Sequence, residues 1–214
     1  MESNIMTNKK LINPIVIIAN GKYPSHPYPT EIIDKAKTII CTDGSANKLK
    51  NHGFDPTFVI GDMDSIVNIR DFKETEFLHI PRQDNTDLEK VFDYCIKYGI
   101  KKVILLGATG IRDDLAITNM LLLIKYYNKL KIKMVTDTYT VECTKGKQTF
   151  NSFLDQNISL VAVYGVKSVS TKGLKYSLKK QSLSPSGQGV SNKATGNKFI
   201  LRSSNKILLF RGHK

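Results

Sequence analysis

The stretch KVILLGATGIRDD, residues 102–114, shows the pattern that decides the fold. An apolar run typical of a buried parallel strand leads into the small turn Gly107–Gly110, and a helical pattern begins near Asp113. Short apolar runs alternate with helical patterns from Ile15 to about Thr136, and the other runs are IVIIA (15–19), IIC (39–41), FVI (58–60) and IKMV (132–135). We predict an α/β domain with a mostly parallel sheet flanked by helices, and an active face at the carboxyl ends of its strands.

Two helices are predicted strongly within this first half. Apolar residues recur at helical spacing over residues 88–96, and Thr86 with Glu89 forms a capping box at the start. The second helix runs from about Asp113 to Asn128 through a stretch too apolar for a surface helix.

The pattern changes after Thr138, where Gly-, Ser- and Asn-rich turns separate strand-like segments. These segments cover residues 158–163, 174–178, 198–201 and 206–210, and no periodic segment of helix length occurs among them. We therefore predict two domains, an α/β catalytic domain over residues 1–138 and an all-β sandwich over residues 139–214.

Composition describes an ordinary globular protein of 214 residues, with 41% hydrophobic and 24% charged residues. No apolar run approaches the roughly 18 residues needed to cross a bilayer, and the polar start of the chain lacks a secretory signal pattern. Cys41, Cys95 and Cys143 are far apart and form no CxxC pair. These features argue against membrane, disulfide-scaffold and zinc-ribbon proteins and predict a cytoplasmic protein with reduced thiols.

The positive charge is concentrated in the second half. Residues 137–214 contain 13 basic and 3 acidic residues, whereas residues 1–136 contain 19 and 16. Such a surface can attract nucleic acid or a polyphosphate substrate, or it can simply keep a β domain soluble. A basic nucleic-acid-binding protein is therefore an alternative, although an RNP-type aromatic motif, a helix-turn-helix pattern and a basic helix are all missing from the sequence.

Acidic residues follow the third predicted strand. Asp62 and Asp64 are two residues apart, so in an extended segment both carboxylates point to one face. Asp87 lies in the first turn of the first strong helix, at the same end of the sheet. A polar turn with local backbone hydrogen bonds is the alternative explanation. Three converging carboxylates favour a site for a hard divalent cation such as Mg²⁺.

The turn at Gly107–Gly110 and the neighbouring Arg112 suggest an anion site at the same edge. Small residues entering a helix let backbone N–H groups approach a phosphate, and an arginine adds two parallel donors. The alternative is that the glycines only allow tight strand-helix packing. Together with the carboxylates, the turn suggests phosphoryl or nucleotidyl transfer from a Mg²⁺–nucleotide.

Four motifs in this half, in their order and spacing, resemble those of the thiamine pyrophosphokinase family. They are DGSAN (43–47), PTFVIGDMDSI (56–66), QDNTDLEK (83–90) and GATGIRDD (107–114). In the second half, TKGLKYSL (171–178), GVSN (189–192) and a final pair of strands resemble that family's thiamine-binding β domain.

The resemblance implies transfer of the pyrophosphoryl group of ATP to the hydroxyl of thiamine, which gives thiamine diphosphate and AMP. It also implies a homodimer with each thiamine site at the subunit interface. The catalytic residues it implies are Asp62, Asp64, Asp87, Arg112 and Asp114, with the first three as Mg²⁺ ligands. The residues it assigns to the nucleotide are Asp43, Asn47, Gln83 and Thr109, and those it assigns to thiamine are Tyr176, Ser191 and Asn192.

Two departures from the family pattern bear on the acceptor and on proton transfer. Tyr176 stands where the family usually has tryptophan, so transfer to a different alcohol acceptor is an alternative, and a core position for this tyrosine is another. Leu115 replaces a common histidine, and Asp114 is left as a candidate proton acceptor.

Overall fold

The computed structural model describes residues 10–81 and 84–214. The chain forms two compact units, which we describe separately. Of the described residues, the first unit comprises 10–81, 84–122 and Asn128–Thr136, and the second comprises Leu123–Tyr127 and Asp137–Lys214. Within the described ranges, no helix is both long and apolar enough to cross a membrane.

The first unit contains a parallel sheet of six strands. They are β1 (Ile15–Ile18), β2 (Thr38–Thr42), β3 (Phe58–Gly61), β4 (Glu76–His79), β5 (Lys102–Leu106) and β6 (Lys131–Val135), in the order β6-β5-β1-β2-β3-β4. β1, β2 and β3 are buried throughout, which is why they appear in the sequence as continuous apolar runs. The predicted α/β architecture is confirmed, and β4 is a strand that the sequence pattern did not reveal.

The helices of the α/β region are α1 (Pro27–Asp34), α2 (Ser45–Asn51), α3 (Asp87–Lys97) and α4 (Asp113–Lys125). The capping box of α3 is present, because the Thr86 hydroxyl accepts from the Glu89 backbone N–H and the Glu89 side chain accepts from the Thr86 backbone N–H. The strand order reverses at β1, which pairs with β2 on one side and with β5 on the other. In open α/β sheets a ligand cleft forms at such a point, outside the carboxyl ends of the strands.

The second unit is β-rich, as predicted. Its strands are β7 (Tyr139–Asn151), β8 (Asn157–Val161), β9 (Val166–Lys172), β10 (Gln181–Leu183), β11 (Asn192–Lys193) and β12 (Lys198–Gly212). β12 is antiparallel to β7 along most of its length and also pairs with β9 and β8. The core between these strands includes Ile158, Val169 and Phe199.

Two strand predictions need correction in this unit. The segments 198–201 and 206–210 are parts of one strand, β12, whose register shifts between Ser203 and Ile207. The segment 174–178 is not a strand, since only Leu174 makes an isolated bridge, to Ala194. Gly173, with a φ of +84°, turns the chain immediately after β9 and interrupts the strand conformation there.

Candidate active site

A cleft of about 640 Å³ lies in the first unit at the carboxyl edge of its sheet. Its walls come from the carboxyl ends of β1, β2, β3 and β5, or the residues just after them, and from α2, α3 and α4. The lining includes Asn20, Gly21, Thr42, Lys48, Asp62, Asn85, Thr86, Asp87, Lys90, Ala108, Thr109, Ile111, Arg112, Leu115 and Asn119. The cleft thus lies where the strand order reverses, at the carboxyl ends of β1 and β5, which we call the switch point of the sheet.

Backbone hydrogen bonds join the two loops that flank this switch point. The Gly21 N–H donates to the Gly107 carbonyl at 2.6 Å, and the Lys22 N–H donates to the Thr109 carbonyl at 2.8 Å. A Cβ atom on Gly21 would lie 2.4 Å from the Gly107 oxygen and 2.5 Å from the Thr109 oxygen. Only glycine therefore fits at position 21, and Thr109 is held at the cleft by the paired loops.

Three carboxylates gather beside the cleft. Oxygens of Asp43, Asp62 and Asp64 all lie within 4.8 Å of one another. Asp43 follows β2 directly and is 2% exposed, while Asp64 is exposed. The Asp43 Oδ2 accepts from the Ser65 backbone N–H at 3.1 Å, whereas its buried Oδ1 has no hydrogen-bond partner among the described residues.

This crowding has a direct electrostatic consequence. Burial, and then the nearby carboxyls of Asp64 and Asp62, raise the pKa of Asp43 to about 6, against the opposing effect of the Ser65 N–H. A bound cation would remove the repulsion and give the unpartnered Oδ1 a ligand role. Three carboxylates with a buried, unsatisfied oxygen fit a hard divalent cation such as Mg²⁺.

Asp87, predicted as the third metal ligand, starts α3 and lines the same cleft. Its Oδ1 accepts from the Lys90 ammonium at 2.8 Å. The three carboxylates whose oxygens lie within 4.8 Å of one another are those of Asp43, Asp62 and Asp64, so Asp43 and not Asp87 is the third member of this carboxylate group. A Cβ atom on Gly61 would lie 2.9 Å from the Asp43 Cβ and 3.3 Å from the Asp87 Cγ. Gly61 thus leaves room for Asp43 and Asp87 to approach each other across the end of β3.

Asn47 does not line the cleft, although the resemblance assigns it to the nucleotide. Its Nδ2 donates to the Ser65 carbonyl at 2.9 Å, and its Oδ1 accepts from the Val67 N–H at 3.4 Å. Asn47 therefore fixes the loop that carries Asp62 and Asp64. Gln83, which the resemblance also assigns to the nucleotide, lies outside the residues that the structure describes.

Arg112 and Asp114 form an exposed pair at the start of α4. The Arg112 Nε donates to one Asp114 oxygen at 3.1 Å and its Nη2 donates to the other at 2.5 Å. Hydrogen bonding from Arg112 lowers the pKa of Asp114, which makes Asp114 a weak proton acceptor. Arg112 lines the cleft and Asp114 does not, so the carboxylate orients the guanidinium.

Sequence reasoning missed several residues that line the cleft. Lys48 follows Asn47 and Lys90 follows Glu89. A lysine on a helix normally indicates a face exposed to solvent, so neither residue is predicted to line a cleft. The Lys90 side chain is only 2% exposed. Asn119 is also buried, and its Nδ2 donates to the Ala108 carbonyl at 2.9 Å. The signal for Lys90 was its position three residues after Asp87, on the buried face of α3.

In the second unit the three predicted thiamine residues lie together. The Asn192 Oδ1 accepts from the Tyr176 N–H at 3.0 Å, and its Nδ2 donates to the Tyr176 carbonyl at 2.7 Å. Ser191 has a φ of +59°, and its N–H donates to the Ser159 hydroxyl at 3.1 Å. Tyr176 is 63% exposed, and its ring lies under the Lys175 ammonium at 5.6 Å. A core position for this tyrosine is excluded.

Comparison with known proteins decides the family. Residues 29–136 match the family model of the thiamin pyrophosphokinase catalytic domain, and residues 140–210 match that of the thiamin pyrophosphokinase substrate-binding domain. The chain belongs to the thiamin pyrophosphokinase family. The family resemblance in the sequence is therefore confirmed, and it supports the kinase interpretation over a nucleic-acid-binding protein.

Individual members of the thiamin pyrophosphokinase family agree with this assignment. Thiamin pyrophosphokinase 1 of Caenorhabditis elegans is 28% identical, over 82% of this chain and 79% of its own length. The crystal structure of thiamine pyrophosphokinase from Bacillus subtilis superposes with a TM-score of 0.82 at 21% identity and covers 94% of this chain and 99% of its own. The yeast thiamin pyrophosphokinase structure gives 0.78 at 17% identity, over 92% and 85% of the two chains. The two structures share the fold with this family member.

The repulsion among the three carboxylates predicts that removing one of their charges stabilises this thiamin pyrophosphokinase family member. We expect Asp43→Asn to raise the melting temperature at pH 7.5 in EDTA by roughly 3–6 °C, equivalent to about 1–2 kcal/mol. Asparagine can still accept from Ser65, and its amide can donate to the neighbouring carboxylates instead of repelling them.

The effect has a defined pH dependence, measured by differential scanning fluorimetry. A raised folded-state pKa means that the wild type loses stability as pH rises from about 4 through about 6, where Asp43 ionises. The difference in melting temperature between Asp43→Asn and the wild type should therefore grow between pH 5 and pH 7.5. A variant that melts below the wild type at pH 7.5 in EDTA would contradict the repulsion.

Proposed function

We propose that this chain transfers the pyrophosphoryl group of ATP intact to the hydroxyl of thiamine, forming thiamine diphosphate and AMP. The proposal rests on the family match of both regions. The observation that carries it is the group of Asp43, Asp62 and Asp64 beside a cleft at the switch point of the sheet. This arrangement suits a polyphosphate with its cation, and the second unit presents an exposed aromatic ring for an acceptor.

We also propose Mg²⁺ as the cation of this site. Asp62 and Asp64 would hold it with Asp43, whose unpartnered buried oxygen favours such a role, and Asp87 would face it from α3. When bound, Mg²⁺ neutralises charge on the triphosphate oxygens. The role of Asp87 includes holding the buried Lys90 ammonium toward the cleft.

The reaction mainly requires positioning and charge neutralisation. The thiamine hydroxyl oxygen forms a bond to the β-phosphorus while the bond from that phosphorus to the oxygen of the α-phosphate breaks, and AMP leaves with the electron pair. We assign Arg112 to phosphate oxygens in this step because its guanidinium lines the cleft and Asp114 fixes its plane. The hydroxyl proton passes to solvent or to a phosphate oxygen, since Asp114 is a weak base here.

On the acceptor side, we propose that Tyr176 stacks on an aromatic ring of thiamine, and that Asn192 and Ser191 hold the loop that presents it. We expect Tyr176→Ala to raise the KM for thiamine about 5- to 30-fold, with the KM for ATP unchanged, because stacking and cation–π contacts contribute about 1–2 kcal/mol. Steady-state kinetics with each substrate varied in turn measures this.

Tyr164 provides the matched control for Tyr176. It is another exposed tyrosine of the second unit, at 71% exposure, and it lies in a different loop. Tyr164→Ala should leave the KM for thiamine within twofold of the wild type. Equal thiamine KM values for Tyr176→Ala and the wild type would remove Tyr176 from the acceptor site.

By likeness to the family we propose a homodimer with the thiamine site at the subunit interface, which sedimentation equilibrium tests. We assign nucleotide binding to residues 1–138 and thiamine binding to residues 139–214. We also propose a cytoplasmic location, with which the free thiols of Cys41, Cys95 and Cys143 agree.

Incubation of the purified protein with ATP, Mg²⁺ and thiamine, with products resolved by mass, tests the function. We expect AMP and thiamine diphosphate in equal amounts. ADP with thiamine monophosphate would overturn pyrophosphoryl transfer while keeping the nucleotide site. Turnover only with another alcohol acceptor would overturn the assignment of thiamine.

A further inference from the structure

Lys48 differs from the other basic residues of the cleft in what its charge contacts. Lys48, Lys90 and Arg112 all line the cleft. Lys90 is paired with Asp87 at 2.8 Å, and Arg112 is paired with Asp114 through two hydrogen bonds. Within the part of the chain that the structure describes, Lys48 contacts only neutral acceptors, so its positive charge is not balanced by a carboxylate.

The neutral acceptors are backbone carbonyls of the loop after β1. The Lys48 Nζ donates to the Asn20 oxygen at 3.0 Å and to the Gly21 oxygen at 2.9 Å. An ammonium group has three N–H donors, so one is left for a ligand in the cleft. Partial burial lowers the pKa of Lys48, and an anion bound beside it would act in the opposite direction by favouring the charged form.

The position of Lys48 is fixed by the packing of α2 against β1. The Ser45 hydroxyl donates to the Ile18 carbonyl at 2.6 Å, and Gly44 packs so closely on Asn20 that a Cβ atom there would lie 2.4 Å from the Asn20 Nδ2. The carbonyls that hold the ammonium belong to the loop that is hydrogen-bonded to Gly107 and Thr109. Lys48 therefore sits beside both loops of the switch point.

We propose that Lys48 binds a phosphate oxygen of the nucleotide and positions the polyphosphate at the ends of β1 and β5. This inference rests on the proposed function, since it takes the ligand of the cleft to be ATP. Lys48 carries a positive charge that is not already partly neutralised by a carboxylate, whereas Lys90 and Arg112 are each paired with one, so Lys48 adds net positive charge to the cleft and has a remaining N–H donor for the phosphate.

The test compares ATP with adenosine by isothermal titration calorimetry on the full chain, with Mg²⁺ and without thiamine. We expect Lys48→Met to weaken ATP binding about 10- to 100-fold, the usual effect of losing a hydrogen bond to a charged group, and to leave adenosine affinity within twofold. Lys50→Met is the matched control, since Lys50 lies on the same helix, outside the cleft, and is paired with Asp55. It should leave both affinities unchanged.

Two results would overturn the proposal. Equal losses of ATP and adenosine affinity would show that Lys48 only supports the loop, and unchanged ATP affinity would show that it contributes nothing. If Lys48→Met unfolds, Lys48→Gln supplies the same comparison, because its amide can still donate to the carbonyls without carrying charge.

Pyrophosphoryl transfer and the Lys48 phosphate contact can be overturned independently of each other. The product assay on the wild type decides pyrophosphoryl transfer, whereas the ATP–adenosine comparison decides the phosphate contact. A wild type that binds ATP through Lys48 but yields no thiamine diphosphate would overturn the function and keep this contact.

Discussion

Replacing Asp62 with asparagine is expected to lower kcat by about a thousandfold, which corresponds to about 4 kcal/mol of transition-state stabilisation. Asp62 belongs both to the carboxylate group and to the lining of the cleft. Asparagine has nearly the same shape but removes one of the negative charges that would hold Mg²⁺ against the triphosphate. The Mg²⁺ concentration needed for half-maximal activity should rise as well.

Steady-state turnover measured across a Mg²⁺ titration checks this expectation. Asp55→Asn is the matched control, because Asp55 is an exposed acid of the same unit that pairs with Lys50 away from the cleft. It should retain wild-type turnover. An Asp62→Asn variant whose kcat and Mg²⁺ dependence stay within threefold of the wild type would contradict the metal assignment.

Introducing a methyl group at Gly21 is expected to damage both stability and nucleotide binding. The added Cβ would lie 2.4 Å and 2.5 Å from two backbone oxygens, neither of which can rotate away. The loops after β1 and β5 would have to separate, breaking the hydrogen bond from Gly21 to Gly107. We expect Gly21→Ala to lose about 2–4 kcal/mol of unfolding free energy and to melt roughly 5–15 °C lower.

Chemical denaturation and ATP titration measure the two effects. Gly196→Ala is the control, since a Cβ atom at Gly196 would meet nothing within 4 Å. Its unfolding free energy should stay within about 0.5 kcal/mol of the wild type. A Gly21→Ala variant with wild-type stability would mean that the two loops separate without cost.

The sequence predicted the parts of the fold that rest on local pattern. Fully buried strands such as β1 appear as continuous apolar runs, and the capping box at Thr86 and Glu89 marked the start of α3 to the residue. The edge strand β4 was missed because its residues are mostly half-buried or exposed. The sequence pattern wrongly predicts a strand around Tyr176, because alternating apolar residues also occur in an irregular loop that packs on a core.

The candidate site was predictable in its location and less so in its contacts. Strand ends placed the acids at one edge of the sheet, but only the structure brings Asp43 into the carboxylate group and pairs Asp87 with Lys90. Such choices depend on distances between side chains that are remote in sequence. The role of Lys48 was hidden for the same reason, since its partners are backbone oxygens that no residue type reveals.

The two hydrogen bonds from the Asn192 side chain to Tyr176 have a consequence for how this protein can change over evolutionary time. Both hydrogen bonds reach the main chain of residue 176, and the side chain takes no part in them. The loop therefore keeps its course whichever residue occupies that position. On the proposed role of Tyr176 at the acceptor site, substitutions at this position would change acceptor preference without requiring compensating changes elsewhere in the second unit.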